Sequence, residues 1–192
     1  TDKEIRDQVA KLCYHYWDIH GRDGNLGKTN LVTYEINTPR NVAPIRLKSR
    51  PVNPNMQDAL NKQIQKWLQE DVICACSSSP WNSPLLPIVK KNGSIRYALD
   101  FRQLNKITKK SAFPLPQIEE ILSHLYGSKI FSSIDLSQAF HAIPIRDQDQ
   151  EKTAFTANDK QYKFKRLPFG LCNSPSIYSE LMTIVMKPFS KK

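Results

Sequence analysis

Two pairs of strand-like runs follow each other with only a turn between them, and that adjacency constrains the fold more than any other feature of the chain. LLPIV (85–89) and IRYAL (95–99) flank Asn92-Gly93, while KTAFTA (152–157) and QYKFKR (161–166) are joined through Asn158-Asp159. Asn-Gly is a strong hairpin signal because both residue types accept the left-handed backbone that tight hairpin turns require. Parallel strands need a crossover of roughly a dozen or more residues instead. Helices mixed with sequentially adjacent strands therefore predict an α+β domain with an antiparallel sheet, not a doubly wound parallel sheet.

Helical periodicity supplies the other layer. Ile5, Val9, Leu12 and Tyr16 share one face of a helix over Asp2 to Trp17, and Gly21, Gly24 and Gly27 mark a loop after it. LVTYEI (31–36) reads as a strand and 39–51 as an extended basic arm. Asn53-Pro54 opens a helix with an apolar stripe of Met56, Leu60, Ile64 and Leu68, ending near Asp71. CSSSPWNSP (76–84) is proline-locked loop. Pro116 introduces a helix with Ile118, Ile121, Leu122 and Leu125 on one face, closed by Gly127. KIFSSID (129–135) and FHAIPI (140–145) read as strands, and Ser174-Pro175 starts a helix carrying Ile177, Leu181 and Val185.

The 192 residues suit one large domain or two small lobes. Their net charge of +10, from 28 Lys plus Arg against 18 Asp plus Glu, is unevenly spread. Residues 1–39 carry −1, residues 40–110 carry +9 and residues 111–192 carry +2. A basic middle third attracts a polyanion, nucleic acid being the commonest. An anionic membrane is the rival, but the basic residues alternate with Pro, Asn and strand-like runs and do not line a helix opposite an apolar stripe. The longest uncharged run, Val72 to Val89, holds three Pro and four Ser, so no membrane span is expected. The N-terminus lacks a basic-then-apolar signal peptide. Cys13, Cys74, Cys76 and Cys172 have no paired spacing, which favours a reducing, intracellular compartment. Cys13, His15 and His20 lack a second Cys pair and fit packing at a helix end better than zinc.

Phosphate-binding glycine loops, HExxH and G-x-S-x-G are absent from the sequence. Asp135, at the end of an apolar run, suits a divalent-metal ligand or a turn or cap residue; spacing alone favours the second. Arg96, with Lys90 or Lys91 across the hairpin, suits either a triphosphate clamp or a solvated strand edge. LPFGLCNSPSIY (167–178) places Gly170 among bulky residues, where glycine permits close approach of another backbone or of a base pair. Phe140 and Phe169 fit core packing or base stacking equally well.

Taken in order, SSPWNSPLLPIVKKNGSIRYALDFRQLNKIT, FPLPQIEEIL, FSSIDLSQAFHAIPI, TAFT and YKFKRLPFGLCNSPSIY resemble the fingers and palm of a reverse transcriptase. The likeness runs from about Leu31 to Met186. It is most similar to gypsy-type long-terminal-repeat retrotransposons and their retroviral relatives, with Phe169 where many retroviruses have Gln. The resemblance implies right-hand polymerase fingers over 40–112 and a partial palm over 113–192 with fingers strands inserted around 140–166. Residues 1–39 then form a lead-in, and a thumb is lacking. Helices would pack on one face of the antiparallel sheet. Asp135 then corresponds to the first metal-binding aspartate, with the Leu136 backbone helping to hold a second ion. Arg96, and Lys91 subject to hairpin length, correspond to residues closing over the incoming triphosphate. Phe140 corresponds to the steric gate under the sugar, and Phe169 and Gly170 to the segment touching the nucleotide and templating pair. Asp100 corresponds to a structural position.

The implied function is RNA-directed DNA polymerisation: addition of deoxynucleotides to a primer 3′-OH, with two Mg²⁺ roughly 3.5 to 4 Å apart, Mn²⁺ as a substitute. Implied partners are an RNA or DNA template with primer, deoxynucleoside triphosphates, and the remainder of a Pol polyprotein (thumb, ribonuclease H and integrase), with no membrane. The implied location is the cytoplasm, a retroelement particle or the nucleus. In the family two further acids belong to an aromatic-x-Asp-Asp hairpin after the Ser-Pro helix. This sequence contains no Asp-Asp pair and its last acid is Glu180. The expectation is that the isolated chain does not polymerise. A palm sheet lacking its partner strands would expose an edge, with dimerisation or aggregation as the consequence. The alternative function is a non-catalytic nucleic-acid-binding remnant.

Overall fold

A computed structural model of the protein describes residues 2–17, 26–91, 93–114, 117–131, 133 and 135–189. His20, Gly21, Gly24, Asn92 and Pro116, which the sequence reading singled out, lie outside the described residues. The architecture is α+β with two antiparallel sheets, as expected.

The helices are α1 (Asp2–His15), α2 (Gln57–Gln69, preceded by a 3-10 turn at Pro54–Met56), α3 (Arg102–Ile107), α4 (Ile118–His124), α5 (Asp147–Gln150) and α6 (Ser174–Met186). The strands are β1 (Ile73–Ala75), β2 (Leu85–Val89), β3 (Ile95–Leu99), β4 (Phe155–Ala157) and β5 (Lys160–Phe164). The β2–β3 hairpin pairs Leu85 with Leu99 and Val89 with Ile95. In the second sheet β5 is central, pairing β1 (Ile73 with Phe164) and β4 (Phe155 with Tyr162). The β4–β5 turn is two residues long, and both Asn158 and Asp159 have positive φ, +52° and +56°. That is the geometry whose twist matches a right-handed sheet.

The core lies between α2 and the three-stranded sheet. Asn53 accepts from the Asn55 N–H at 3.0 Å and Pro54 starts the turn, so the helix begins where the cap signal placed it. α2 buries Leu60, Ile64 and Trp67, and Trp67 sets its edge against Phe155 and Phe164, with centroids 6.3 and 5.4 Å apart. The expected Leu68 packs half-buried against the core, and Trp67, outside the expected stripe, is buried beside it.

Several expected elements take other forms. KIFSSID was expected as a strand, but its described residues belong to none; a strand exists only by pairing, and no described segment pairs with it. LVTYEI is extended and buries alternate residues Val32, Tyr34 and Ile36, yet it makes a single parallel bridge, Tyr34 to Ile145. FHAIPI forms a 3-10 turn (Ala139–Ala142) and then bridges at Pro144 and Ile145. β1 and α3 arise at 73–75 and 102–107, where no element was expected. α1 forms, but Ile5, Val9 and Leu12 stay exposed.

Candidate active site

The hairpin supplies the cations. Along β3 the pleat buries Tyr97 and Leu99 and turns Arg96 outward, and Tyr97 donates its hydroxyl to the Met56 carbonyl at 2.7 Å, tying the hairpin to the start of α2. The Arg96 guanidinium sits 4.2 Å above the centre of the Phe169 ring. It pairs with no carboxylate among the described residues, and the ring face is where its charge rests.

Aromatic residues build the floor. Phe169 lies 5.0 Å from Phe140 and 6.0 Å from the His141 ring, and Phe140 meets Tyr178 of α6 edge-on at 5.6 Å. Gly170, at φ +97°, makes the turn after Phe169; a Cβ there would stand 3.5 Å from the Leu99 carbonyl and 3.6 Å from Phe101. Those are ordinary van der Waals distances, so the expected close approach does not itself demand glycine; the left-handed φ does.

Between hairpin and floor lies a cleft of about 210 Å³ whose charged lining among the described residues is Lys66, Lys90 and Arg96; Lys66 pairs with Glu70 at 3.7 Å just outside that lining. Gln138, His141 and Phe169 complete that wall. Of the residues expected from sequence, Arg96 and Phe169 line this cleft, with Phe140 and Gly170 directly behind. Lys90 lines it in place of Lys91, which is exposed at the hairpin turn. Asp135 and Leu136 are exposed outside the lining, and Asp135 makes no hydrogen bond or ion pair among the described residues.

Sequence reasoning missed Lys66, Gln138 and His141. Gln138 adopts a left-handed backbone (φ +49°), faces His141 Nδ1 through Oε1 at 3.0 Å, and donates Nε2 to Glu70 Oε1 at 3.4 Å. Held this way, the imidazole carries its proton on Nδ1. Burial, and then the positive charges of Arg166, Arg96 and Lys66, push the His141 pKa down to about 4. An unfolded histidine titrates near 6.5, so as pH falls the unfolded chain binds this proton first. The stability contributed by neutral His141 is therefore complete above about pH 6.5 and lost between about pH 6.5 and 4, amounting to about 3 kcal/mol. Urea unfolding at stepped pH should find this slope in the native chain and not in His141→Gln.

Asp100 belongs to the scaffold. It receives both Arg102 Nε and Nη2, at 2.8 and 2.6 Å, and this fork holds its carboxyl below the usual carboxylate range.

Residues 88–192 match the family model for "Reverse transcriptase (RNA-dependent DNA polymerase)". The chain is 38% identical over 149 residues to the Pol polyprotein of transposon opus, and 34% identical over 197 residues to that of transposon 297, both of Drosophila melanogaster. These matches take in 75% and 100% of the chain but only 15% and 18% of the two polyproteins. In three dimensions the chain is similar to the native prototype foamy virus protease-reverse transcriptase, with a TM-score of 0.86 and 27% identity over 96% of this chain and 25% of that one. A foamy viral protease-reverse transcriptase in complex with RNA/DNA hybrid matches with a TM-score of 0.81 and 26% identity, over 96% of this chain and 25% of that one. With its α+β architecture, hairpin cations and aromatic floor, the chain belongs to the reverse transcriptase family, as a segment of a retroelement Pol polyprotein.

Proposed function

We propose that the chain supplies the fingers and part of the palm of an RNA-directed DNA polymerase, which adds deoxynucleotides to a primer 3′-OH on an RNA or DNA template. The observation that carries this reading is the cleft whose described charged lining is Lys66, Lys90 and Arg96, above the Phe169 ring. A lining of three cations, of which only Lys66 pairs with an acid among the described residues, together with an aromatic wall suits a nucleoside triphosphate. Arg96 offers two parallel donors to phosphate oxygens, and Lys90, or Lys91 on closure of the hairpin, adds a point charge. Phe140 lies under the sugar and disfavours a 2′-hydroxyl, while Phe169 and Gly170 meet the nucleotide and templating pair. Phe140→Ala should lower discrimination against ribonucleotides by roughly tenfold to a hundredfold, read as the ratio of kcat/KM for the two nucleotides.

The residues present fit part of a metal site. Asp135 is an exposed carboxylate without a partner among the described residues, the state of a ligand available to a hard cation, and Leu136 offers a backbone carbonyl. The described residues contain no group of three or more candidate ligands. Asp135 and Leu136 would therefore hold Mg²⁺, or Mn²⁺, only together with carboxylates from elsewhere in the polyprotein. Such a pair of ions, when bound, supplies polarisation of the primer hydroxyl and stabilisation of the leaving pyrophosphate. We accordingly expect the chain alone to bind nucleic acid without extending a primer, within a retroelement particle inside the cell.

The test is a primer-extension assay on this chain and on a Pol segment continued past Lys192 through the aromatic-x-Asp-Asp hairpin. Extension by the longer segment only, with duplex binding by both whose log K falls by roughly 0.9 per phosphate contact against log salt, is the expected result. Binding with no extension by either form would favour a non-catalytic remnant. Salt-independent failure to bind nucleic acid would overturn both.

A further inference from the structure

We propose that Asn105 is a positioning residue of the nucleotide cleft: its carboxamide fixes the Phe169–Gly170 turn, and through the Phe169 ring it fixes the Arg96 guanidinium. This rests on the reading of the cleft as the nucleotide site. Asn105 sits on α3, a helix of six residues that buries only Leu104. Its half-exposed side chain adds little to the core, yet it makes two well-formed bonds to one distant loop. Nδ2 donates to the Gly170 carbonyl at 2.8 Å, and Oδ1 accepts from the Cys172 N–H at 2.9 Å. One planar amide thus serves the backbone as a neighbouring strand would.

The loop needs such a partner. Gly170 has a left-handed φ of +97°, in the residue type that loses most conformational freedom on ordering. Phe169 is 41% exposed, so burial alone does not lock its ring. That ring is the surface on which the Arg96 guanidinium rests, 4.2 Å away, and among the described residues Arg96 has no carboxylate to orient it. A guanidinium already in place binds phosphate with less ordering to do on association. Asn105 therefore acts on the triphosphate without touching it.

Asn173 provides an internal control. It makes the same two-point clamp between the same chain regions, accepting from the Ser111 N–H at 3.0 Å and donating to the Lys109 carbonyl at 2.9 Å. Its bonds do not reach the Phe169–Gly170 turn. A merely structural staple predicts equal consequences for the two asparagines; positioning predicts that only Asn105 alters Arg96.

The test compares Asn105→Asp with Asn173→Asp. Each keeps the acceptor and replaces the amide donor with oxygen. On this chain, NMR with labelled arginine, assigned through Arg96→Lys, reads the upfield ring-current shift of the Arg96 side chain over Phe169. The shift should collapse in Asn105→Asp and persist in Asn173→Asp. In the longer Pol segment, Asn105→Asp should raise the deoxynucleotide KM roughly tenfold with kcat nearly unchanged, and Phe169→Ala on top of it should add little. An unmoved Arg96 signal, or equal KM changes in the two variants, overturns the proposal. Absence of extension by the unmutated longer segment overturns the polymerase reading instead, and the NMR comparison still decides whether Asn105 sets Arg96. Should Asn105→Asp not fold, Asn105→Ser, shorter and uncharged, carries the same comparison.

Discussion

Asp135→Asn in the extended Pol segment should lower the rate of primer extension by about a thousandfold or more while leaving the fold of this chain intact. A carboxamide is nearly the same shape as a carboxylate but carries no charge for a divalent ion. Losing one anionic ligand where charge develops removes several kcal/mol of transition-state stabilisation, and about 4 kcal/mol corresponds to a factor of a thousand. The structural cost is small because Asp135 is exposed and makes no hydrogen bond or ion pair among the described residues. Surface substitutions of this kind stay within about 0.5 kcal/mol, so the melting temperature should move by no more than about 2 °C. Steady-state extension and thermal denaturation of the same preparations separate the two effects. Activity within tenfold of the native level would remove Asp135 from the metal site.

The second large effect is on stability, at a residue far from any chemistry. Asp149 is 1% exposed and receives Arg146 Nε at 2.9 Å, Lys152 Nζ at 2.7 Å and the Ile36 N–H at 3.2 Å. Lys152 also donates to the Ile36 carbonyl at 2.7 Å, and Arg146 reaches Glu35 at 3.1 Å. One carboxylate thereby joins the lead-in segment to α5 and, through the bridges at 144–145, to the loop that carries Phe140. Asp149→Ala leaves the buried Ile36 N–H without an acceptor, Lys152 without its anion and Arg146 with only Glu35, which should cost about 3 to 5 kcal/mol. Asp71 is the contrast: it pairs with Lys165 at a surface where its side chain is 52% exposed. Asp71→Asn keeps a residue type that tolerates its positive φ and should cost at most about 1 kcal/mol. Urea midpoints at pH 7 compare the pair; similar losses at both sites would contradict the central role of Asp149.

The parts of the fold written in local chemistry were legible in the sequence. Asn158-Asp159 specified its turn because its left-handed backbone is a property of two adjacent residues. Asn53-Pro54 and Ser174-Pro175 marked helix starts for the same reason. Elements that exist only through distant partners were not legible. β1 is three residues whose identity as a strand depends on β5, ninety residues later. KIFSSID shows the converse, an apolar run with strand composition and no described partner. Tyr34 and Ile36 alternate as a strand should, but their neighbour offers a single bridge.

The site divides in the same way. Arg96, Phe140, Phe169 and Gly170 were reached through motif order and converge around one cleft. Lys90 and Lys91 could not be separated, since which lysine faces inward depends on the turn. His141 was hidden because a histidine after a phenylalanine looks like any packed residue until the cations around it are known. Asp149 was hidden more thoroughly. Arg146, Asp149 and Lys152 read as a solvated charge pattern, and only the buried Ile36 backbone behind them makes the carboxylate structural.

The central claim is that the cleft between the β2–β3 hairpin and the Phe140–Phe169 floor receives the incoming nucleotide. It is tested most directly by the structure of the extended Pol segment with primer-template and a non-hydrolysable deoxynucleoside triphosphate. Phosphate oxygens should lie within hydrogen-bond reach of Arg96, the sugar over Phe140 and a metal on Asp135. A triphosphate bound elsewhere, with Arg96 still lying on Phe169 and facing solvent, would contradict it.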